Sequence, residues 1–275
     1  MADHLTVAGR AEATIVNYVR GLRDLQAHYD LPADKLSRDQ LIAFLAGRKP
    51  HISSSTLNTL ICSLKYYYRE VLRCQELIVD LPNPRYSKQL GDLLDADEVR
   101  TLLRATRSLR HRIVLELIFS LGLRVAEVGR LRLGDFDRTQ RTLIIRTSKG
   151  NVTRVLPYGE RLRGTLIDYF RQEKPVDYLI PGRERSKSIG ISVRGVQYLL
   201  RMTLQRSGLK KHVCPHALRH SFAVHYLNNG GNILRLQQLL GHAYLSSTLI
   251  YLRYTTFTLR DIDSPLDFLY CEPRN

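Results

Sequence analysis

Cys214-Pro215-His216-Ala217-Leu218-Arg219-His220-Ser221 opens the stretch on which the fold turns, Leu240-Gly241-His242 continues it, and Leu249-Ile250-Tyr251 closes it. Between 214 and 251 there is no aspartate or glutamate. Guanidinium, imidazole and phenol without acids suit an anionic substrate, and phosphate is the commonest. Pro215 fits the first turn of a helix, where no backbone N–H is required of it. Leu218, Phe222 and Tyr226 then recur at four-residue spacing, an amphipathic stripe. His216 lies three residues from Arg219 and four from His220, so all three point to roughly one side of the first turns. Asn228-Asn229-Gly230-Gly231 ends that helix. A second is predicted from about Asn232 to Leu240, with Ile233, Leu236 and Leu240 inward and Gly241 as its stop. His242 lies just past the stop, and a third, short helix opens near Ser246 or Ser247 and carries Tyr251.

Three blocks in this stretch carry a resemblance. His-x-Leu-Arg-His-Ser-Phe-Ala, Leu-x-x-Leu-Leu-Gly-His and Ser-Ser-Thr-x-Ile-Tyr agree in content, order and spacing with the C-terminal signature of the tyrosine recombinase (phage integrase) family. The step from His242 to Tyr251 is similar to the family's as well.

The rest of the composition is compatible with that chemistry. Lys and Arg number 42 against 26 Asp and Glu, a net charge of +16 over 275 residues. Such an excess points to a polyanionic partner, bound through phosphate contacts and counterion release. A hydrophobic content of 44% predicts a real core. Cys62, Cys74, Cys214 and Cys271 are scattered without a C-x-x-C pair, so neither a disulfide framework nor a zinc finger is indicated, and a reducing cytoplasm fits. His216, His220, His225 and Cys214 could be read as a zinc site, but no further cysteine or carboxylate has ligand spacing. His220 and His225 read as structural. The first residues lack a basic region followed by an apolar run, so no secretory signal is expected. No stretch approaches the ~20 apolar residues of a membrane span.

Residues 5 to about 80 read as a small basic helical bundle. Thr14 is a candidate cap for a helix bearing Ile15, Tyr18, Val19, Leu22 and Leu25. Leu31-Pro32 breaks it. Ser37 is a candidate cap for a helix with Leu41, Phe44 and Leu45 inward, and Ser53 to Thr56 opens a longer one reaching Leu72. By position this bundle is similar to the family's N-terminal core-binding domain. Leu81-Pro82-Asn83-Pro84 and its polar, basic neighbours read as a linker. The boundary lies between 82 and 93, giving domains 1–85 and 86–275, and a helix begins near Asp95.

Beyond the linker, Ile113, Val114, Leu117 and Ile118 mark an apolar helix broken at Leu121-Gly122-Leu123. Leu-Gly-Leu-Arg-x-x-Glu, over 121–127, resembles the family's first arginine motif, which implies a phosphate clamp at Arg124; Glu127 braces it. A guanidinium suits that task because its fork meets phosphate oxygens in two parallel hydrogen bonds and stays protonated. Thr142–Thr147 and Val152–Leu156 are two β-prone runs about a polar turn, a hairpin with Lys149 at its tip. Lys-Gly-x-x-x-Arg-x-x-Pro resembles the family pattern whose lysine is taken as general acid for the leaving oxygen. Residues 160 to 210 read as helical with a basic break at 181–187. Ser264 to Tyr270 suits a short amphipathic helix, and the resemblance implies a tail that packs on a neighbouring protomer, packing in cis being equally open.

The resemblance implies a mainly α fold with a small antiparallel β-sheet, arranged as a two-domain C-shaped clamp on double-stranded DNA. It implies a site of Arg124, Lys149, His216, Arg219, His242 and Tyr251, and recombination by four protomers on two duplexes, with accessory proteins in some systems. Tyr251 attacks phosphorus to give a 3′-phosphotyrosyl bond, with Tyr254 a rival three residues on. His216 is the candidate base, Arg124 and Arg219 stabilise the transition state, His242 bonds the phosphate, and Lys149 protonates the departing 5′ oxygen. No cofactor, metal or ATP is expected, since the covalent intermediate stores the phosphodiester bond. A non-catalytic DNA-binding protein on the same scaffold and a relaxing topoisomerase are the alternatives.

Overall fold

A computed structural model describes residues 1–78, 81, 91–146, 152–182 and 189–256 of the chain. Lys149, most of the 81–88 linker, most of the basic break at 181–187 and the 264–270 segment lie outside these residues. The chain divides into two compact units, Met1–Gln89 and Leu90–Asn275.

The first unit is helical. It holds α1 (Ala2–Val7), α2 (Glu12–Tyr29), α3 (Arg38–Arg48) and α4 (Ser54–Tyr66), the last continuing through a π turn at Tyr67–Val71. Ser37 caps α3 in a full capping box with Gln40, and Ser53 caps α4 by accepting from the Thr56 amide. Thr14 does not cap α2: the helix starts earlier, with Ala11 as its N-cap and Glu12 against the positive end of the helix dipole. Leu25, Leu41, Phe44, Leu64 and Tyr68 form the centre of the core.

The second unit packs helices around one larger core and carries a small sheet. Asp95 caps α5 (Ala96–Arg104) in a capping box with Glu98. Then come α6 (Leu109–Leu121) and the single turn α7 (Val125–Val128). The sheet follows as β1 (Phe136–Asp137), β2 (Thr142–Arg146) and β3 (Val152–Pro157), antiparallel in the order β1-β2-β3. Leu143 faces Leu156 across the ladder, and both are buried with Ile145 in the core. Then α8 (Glu160–Glu173) and α9 (Val193–Ser207) lead to α10 (Pro215–Asn228), α11 (Ile233–Leu240), α12 (Ser246–Leu249) and a 3₁₀ turn at Ile250–Tyr254. Among the described residues no helix is long and apolar enough to cross a membrane.

Helix α10 is more deeply embedded than a single stripe predicts. Ala217, Leu218, Arg219, Ser221, Ala223, Val224 and Leu227 are buried, whereas Phe222 and Tyr226 are only partly so. Its far side is engaged too: Ser221 Oγ accepts from the Leu94 amide at 2.9 Å, and His225 Nε2 bonds the Leu94 carbonyl at 2.9 Å.

Gly122 joins α6 to the Arg124 turn at φ +61°, a left-handed conformation that suits glycine. A Cβ here would sit 2.5 Å from the Phe222 ring and 2.9 Å from Leu240. Gly122→Ala is therefore expected to lower stability by about 2 kcal/mol, from left-handed strain and overpacking together. A shift of the urea midpoint at unchanged m-value checks it; an unshifted midpoint refutes it.

Candidate active site

Four of the predicted residues meet where the end of α6, the N-terminal half of α10 and the C-terminus of α11 converge. Arg124 is the N-cap of α7. Its amide donates to Glu127 Oε2 at 2.8 Å, its Nη1 to Glu127 Oε1 at 3.1 Å and its Nη2 to the Gly241 carbonyl at 3.3 Å. Arg219 is buried, 3% exposed. It donates to the Gly122 carbonyl, to the Leu240 carbonyl at 2.7 Å and to His242 Nε2 at 3.2 Å.

A third guanidinium joins them. Arg154, on β3, donates to both Glu127 oxygens, at 2.9 and 2.8 Å, and through Nε to the Leu239 carbonyl at 2.7 Å. Arg154, Arg219 and Arg124 thus take the carbonyls of 239, 240 and 241 in turn. These belong to the C-terminal end of α11, where carbonyls lack partners within the helix and the dipole is negative. Gly241 ends that helix at φ +63°. Arg219 Nη1 also approaches Glu127 Oε2 at 3.9 Å.

Among the described residues, Glu127 is the carboxylate that these cations share. Burial works to raise its pKa, but the hydrogen bonds and charges of Arg154 and Arg124 outweigh that and hold it below the ordinary value of 4.5. Three guanidiniums on one carboxylate leave an excess of positive charge, the complement of a phosphate gaining charge in a transition state. Burial, then the neighbouring Arg124, lower Arg219 to about 10. It remains protonated at neutral pH.

Tyr251 is 1% exposed, in the 3₁₀ turn after α12. Its hydroxyl lies 2.9 Å from His220 Nδ1, and the positive charge of the Arg219 side chain acts on it. Its ring stacks on His242, with centroids 6.4 Å apart and an interplanar angle of 12°. Burial raises the phenol's pKa, and the charges of Arg219 and Arg124 pull the other way. His242 Nδ1 lies 3.0 Å from Thr248 Oγ1. A guanidinium cannot accept, so His242 Nε2 accepts from Arg219 and its Nδ1–H donates to Thr248. Helix α12 therefore orients the imidazole.

His216 lies one turn before His220 on α10, its ring stacked on that of His220 at 6.3 Å. Tyr254 packs beside the Ala223, Leu227 and Leu236 cluster. His220, expected as a structural residue, is thus a hydrogen-bond partner of Tyr251, whereas His225 turns to Leu94 and Phe119. Arg154 and Thr248 carry no prediction from sequence. Arg154 does stand within the Lys-Gly-x-x-x-Arg pattern, but nothing local reveals that its partners are Glu127 and Leu239. Among the described residues no group of three or more His, Cys, Asp or Glu side chains is placed to hold a metal ion.

The Phage integrase family profile matches residues 92–256, and the profile described as Phage integrase, N-terminal SAM-like domain, matches residues 1–76. Tyrosine recombinase XerA from Pyrococcus horikoshii is 34% identical over 262 residues, covering 94% of this chain and 90% of that protein. Tyrosine recombinase XerD from Listeria innocua is 28% identical and covers 92% of each. The Tn1549 transposon integrase, solved in complex with a circular intermediate DNA, superposes with a TM-score of 0.79 at 18% identity, covering 98% of this chain and 97% of that one. That degree of identity speaks for the fold alone. The sequence profiles and the XerA likeness, extending over nearly the whole chain, go further: this protein belongs to the phage integrase family of tyrosine recombinases.

Proposed function

We propose that this chain is a site-specific recombinase that cuts and rejoins duplex DNA through a 3′-phosphotyrosyl intermediate on Tyr251, without metal or ATP in the step. One observation carries the reading. The Tyr251 hydroxyl is held by one imidazole, with a second imidazole against the face of its ring and the charge of a guanidinium acting on it. A phenol is a weak nucleophile at neutral pH, and cations with an adjacent base are what activate it.

In the step, Tyr251 Oη attacks the scissile phosphorus and the 5′ oxygen departs. Arg124 and Arg219 grip the non-bridging oxygens, a kind of contact worth about 3–4 kcal/mol per donor removed. His242 hydrogen-bonds the phosphate. Since its Nε2 accepts from Arg219, that bond must give way, or the ring gain a proton, for the imidazole to donate to a phosphate. Lys149 protonates the leaving 5′ oxygen. The base is an imidazole of α10, His216 by sequence pattern, with His220 beside it. The freed 5′-hydroxyl of a partner strand then attacks the phosphotyrosine and restores a phosphodiester.

The substrate is double-stranded DNA carrying recombination sites. The charge of +16 supports it, as does the likeness to proteins solved with DNA, among them a lambda integrase dimer bound to a core site. Four protomers on two duplexes form the working assembly, with accessory proteins as further partners, and the cytoplasm is the place of action.

Strand exchange between two duplexes tests the proposal. Bound duplexes are selected from DNA flanking the gene, then two differently labelled copies are incubated with the protein in buffer free of metal and ATP. Recombinant duplexes are expected. Relaxation of supercoiled plasmid without exchange would instead identify a topoisomerase, and binding with neither product a non-catalytic DNA-binding protein.

A further inference from the structure

The two neighbours of the Tyr251 hydroxyl differ in what they can do. A guanidinium only donates, so Arg219 supplies positive charge beside the phenol but cannot take its proton. The phenol has a single proton, and the remaining partner is His220 Nδ1 at 2.9 Å. An imidazole with its proton on Nε2 accepts the phenolic hydrogen at Nδ1. We propose that His220 is the general base of the cleavage step, its Nδ1 taking the phenolic proton as Oη attacks phosphorus. This rests on the reading of Tyr251 as the attacking group.

The step balances without any further reagent. The O–H bond of Tyr251 breaks and an N–H bond forms on His220 Nδ1, giving an imidazolium. The Oη–P bond forms, the P–O5′ bond breaks, and O5′ takes its proton from the general acid, Lys149. Rejoining runs in reverse: the incoming 5′-hydroxyl gives its proton to the deprotonated general acid as it displaces Oη, and the imidazolium returns its proton to Oη.

Geometry and electrostatics both suit His220. The separation of 2.9 Å is within the reach required of a general base. The ring is carried by α10, whose neighbouring residues are buried, and stacks on His216 with an interplanar angle of 28°. Arg219, Arg124, His216 and His242 are the charged or titratable groups around the phenol and its two imidazole neighbours. Arg219 and Arg124 are the positive charges that act on the phenol. A phosphate on Arg124 and Arg219 brings the negative charge that then tolerates the imidazolium.

The test is single-turnover formation of the covalent adduct on a nicked duplex bearing the bound site. Wild type is compared with His220→Asn, His220→Ala, His216→Asn and Tyr251→Phe, each checked for melting temperature and DNA affinity. Asparagine places an amide oxygen near the position of Nδ1, so it accepts the phenol's hydrogen bond but not its proton. Both His220 variants are expected to lose about 100-fold in rate, and imidazole in the buffer is expected to restore part of the rate to His220→Ala. A His220→Asn variant cleaving at the wild-type rate would show that His220 only positions the phenol, and would overturn the proposal. So would a loss confined to His216→Asn. An adduct persisting in Tyr251→Phe would instead overturn the identity of the nucleophile, a separate result.

Discussion

Tyr251→Phe is expected to bind DNA as the wild type does and to form no covalent protein–DNA adduct, while Tyr254→Phe forms it at close to the wild-type rate. Phenylalanine removes one oxygen and keeps the ring, so the stack on His242 and the packing against Ala223, Leu227 and Leu236 persist. What is lost is the bond to His220 Nδ1 and the oxygen on which the Arg219 charge acts. Arg219 keeps the Gly122 and Leu240 carbonyls and His242, so the cationic site survives the change. Leaving His220 Nδ1 without its donor costs about 1–3 kcal/mol of stability, which a whole domain tolerates. The readout is a denaturing gel after incubation with nicked duplex in buffer free of metal and ATP. An adduct lost with Tyr254→Phe and kept with Tyr251→Phe would move the nucleophile by three residues and refute the assignment made from the geometry.

Glu127→Gln is expected to destabilise the second unit by about 3–5 kcal/mol, the cost of removing one member of a buried ion pair. The Glu127 side chain is 12% exposed and that of Arg154 is 7% exposed, so neither recovers its solvation when the partner changes. Glutamine has nearly the same shape, but it turns one acceptor into a donor aimed at a guanidinium. The dependence on pH has a definite sign. A carboxyl held below its unfolded value stabilises the fold fully above that value and loses the contribution as pH falls through the folded one. The gap between wild type and Glu127→Gln is therefore expected to be constant above pH 4.5, the ordinary value for the group, and to narrow below it. Urea melts of the two proteins from neutral to acid pH measure this. A gap that grows on acidification would contradict the role given to Glu127.

Much of this arrangement is legible in the sequence because its signals are local. Pro215 at the start of α10, the capping boxes at Ser37 and Asp95 and the Asn232 cap on α11 each follow from a few adjacent residues. The Arg124, Arg219, His242 and Tyr251 motifs are likewise short, and the fold brings those four together. The β2–β3 pairing is readable for the same reason, since two alternating runs flank a polar turn. What stays hidden depends on distance along the chain. Arg154 reaches Leu239 across 85 positions, and no pattern within β3 indicates it. His216 and His220 are one helical turn apart, and only the path of the 3₁₀ turn after α12 determines which imidazole meets the phenol. The two-residue strand β1 is too short to carry a period. Helix α10 is buried on more than one side, so a single apolar stripe understates its contacts.

Because Arg124, Arg154 and Arg219 close on three successive carbonyls at the end of α11, their cluster is complete only when that helix is in place. A nascent chain that has emerged as far as Arg154 carries two of the three guanidiniums but not the helix end they grip. Any event that frees α11 removes one carbonyl partner from all three at once and leaves Glu127 as their remaining common anchor. The end of one short helix thus sets the spacing of the charges that surround the phenol.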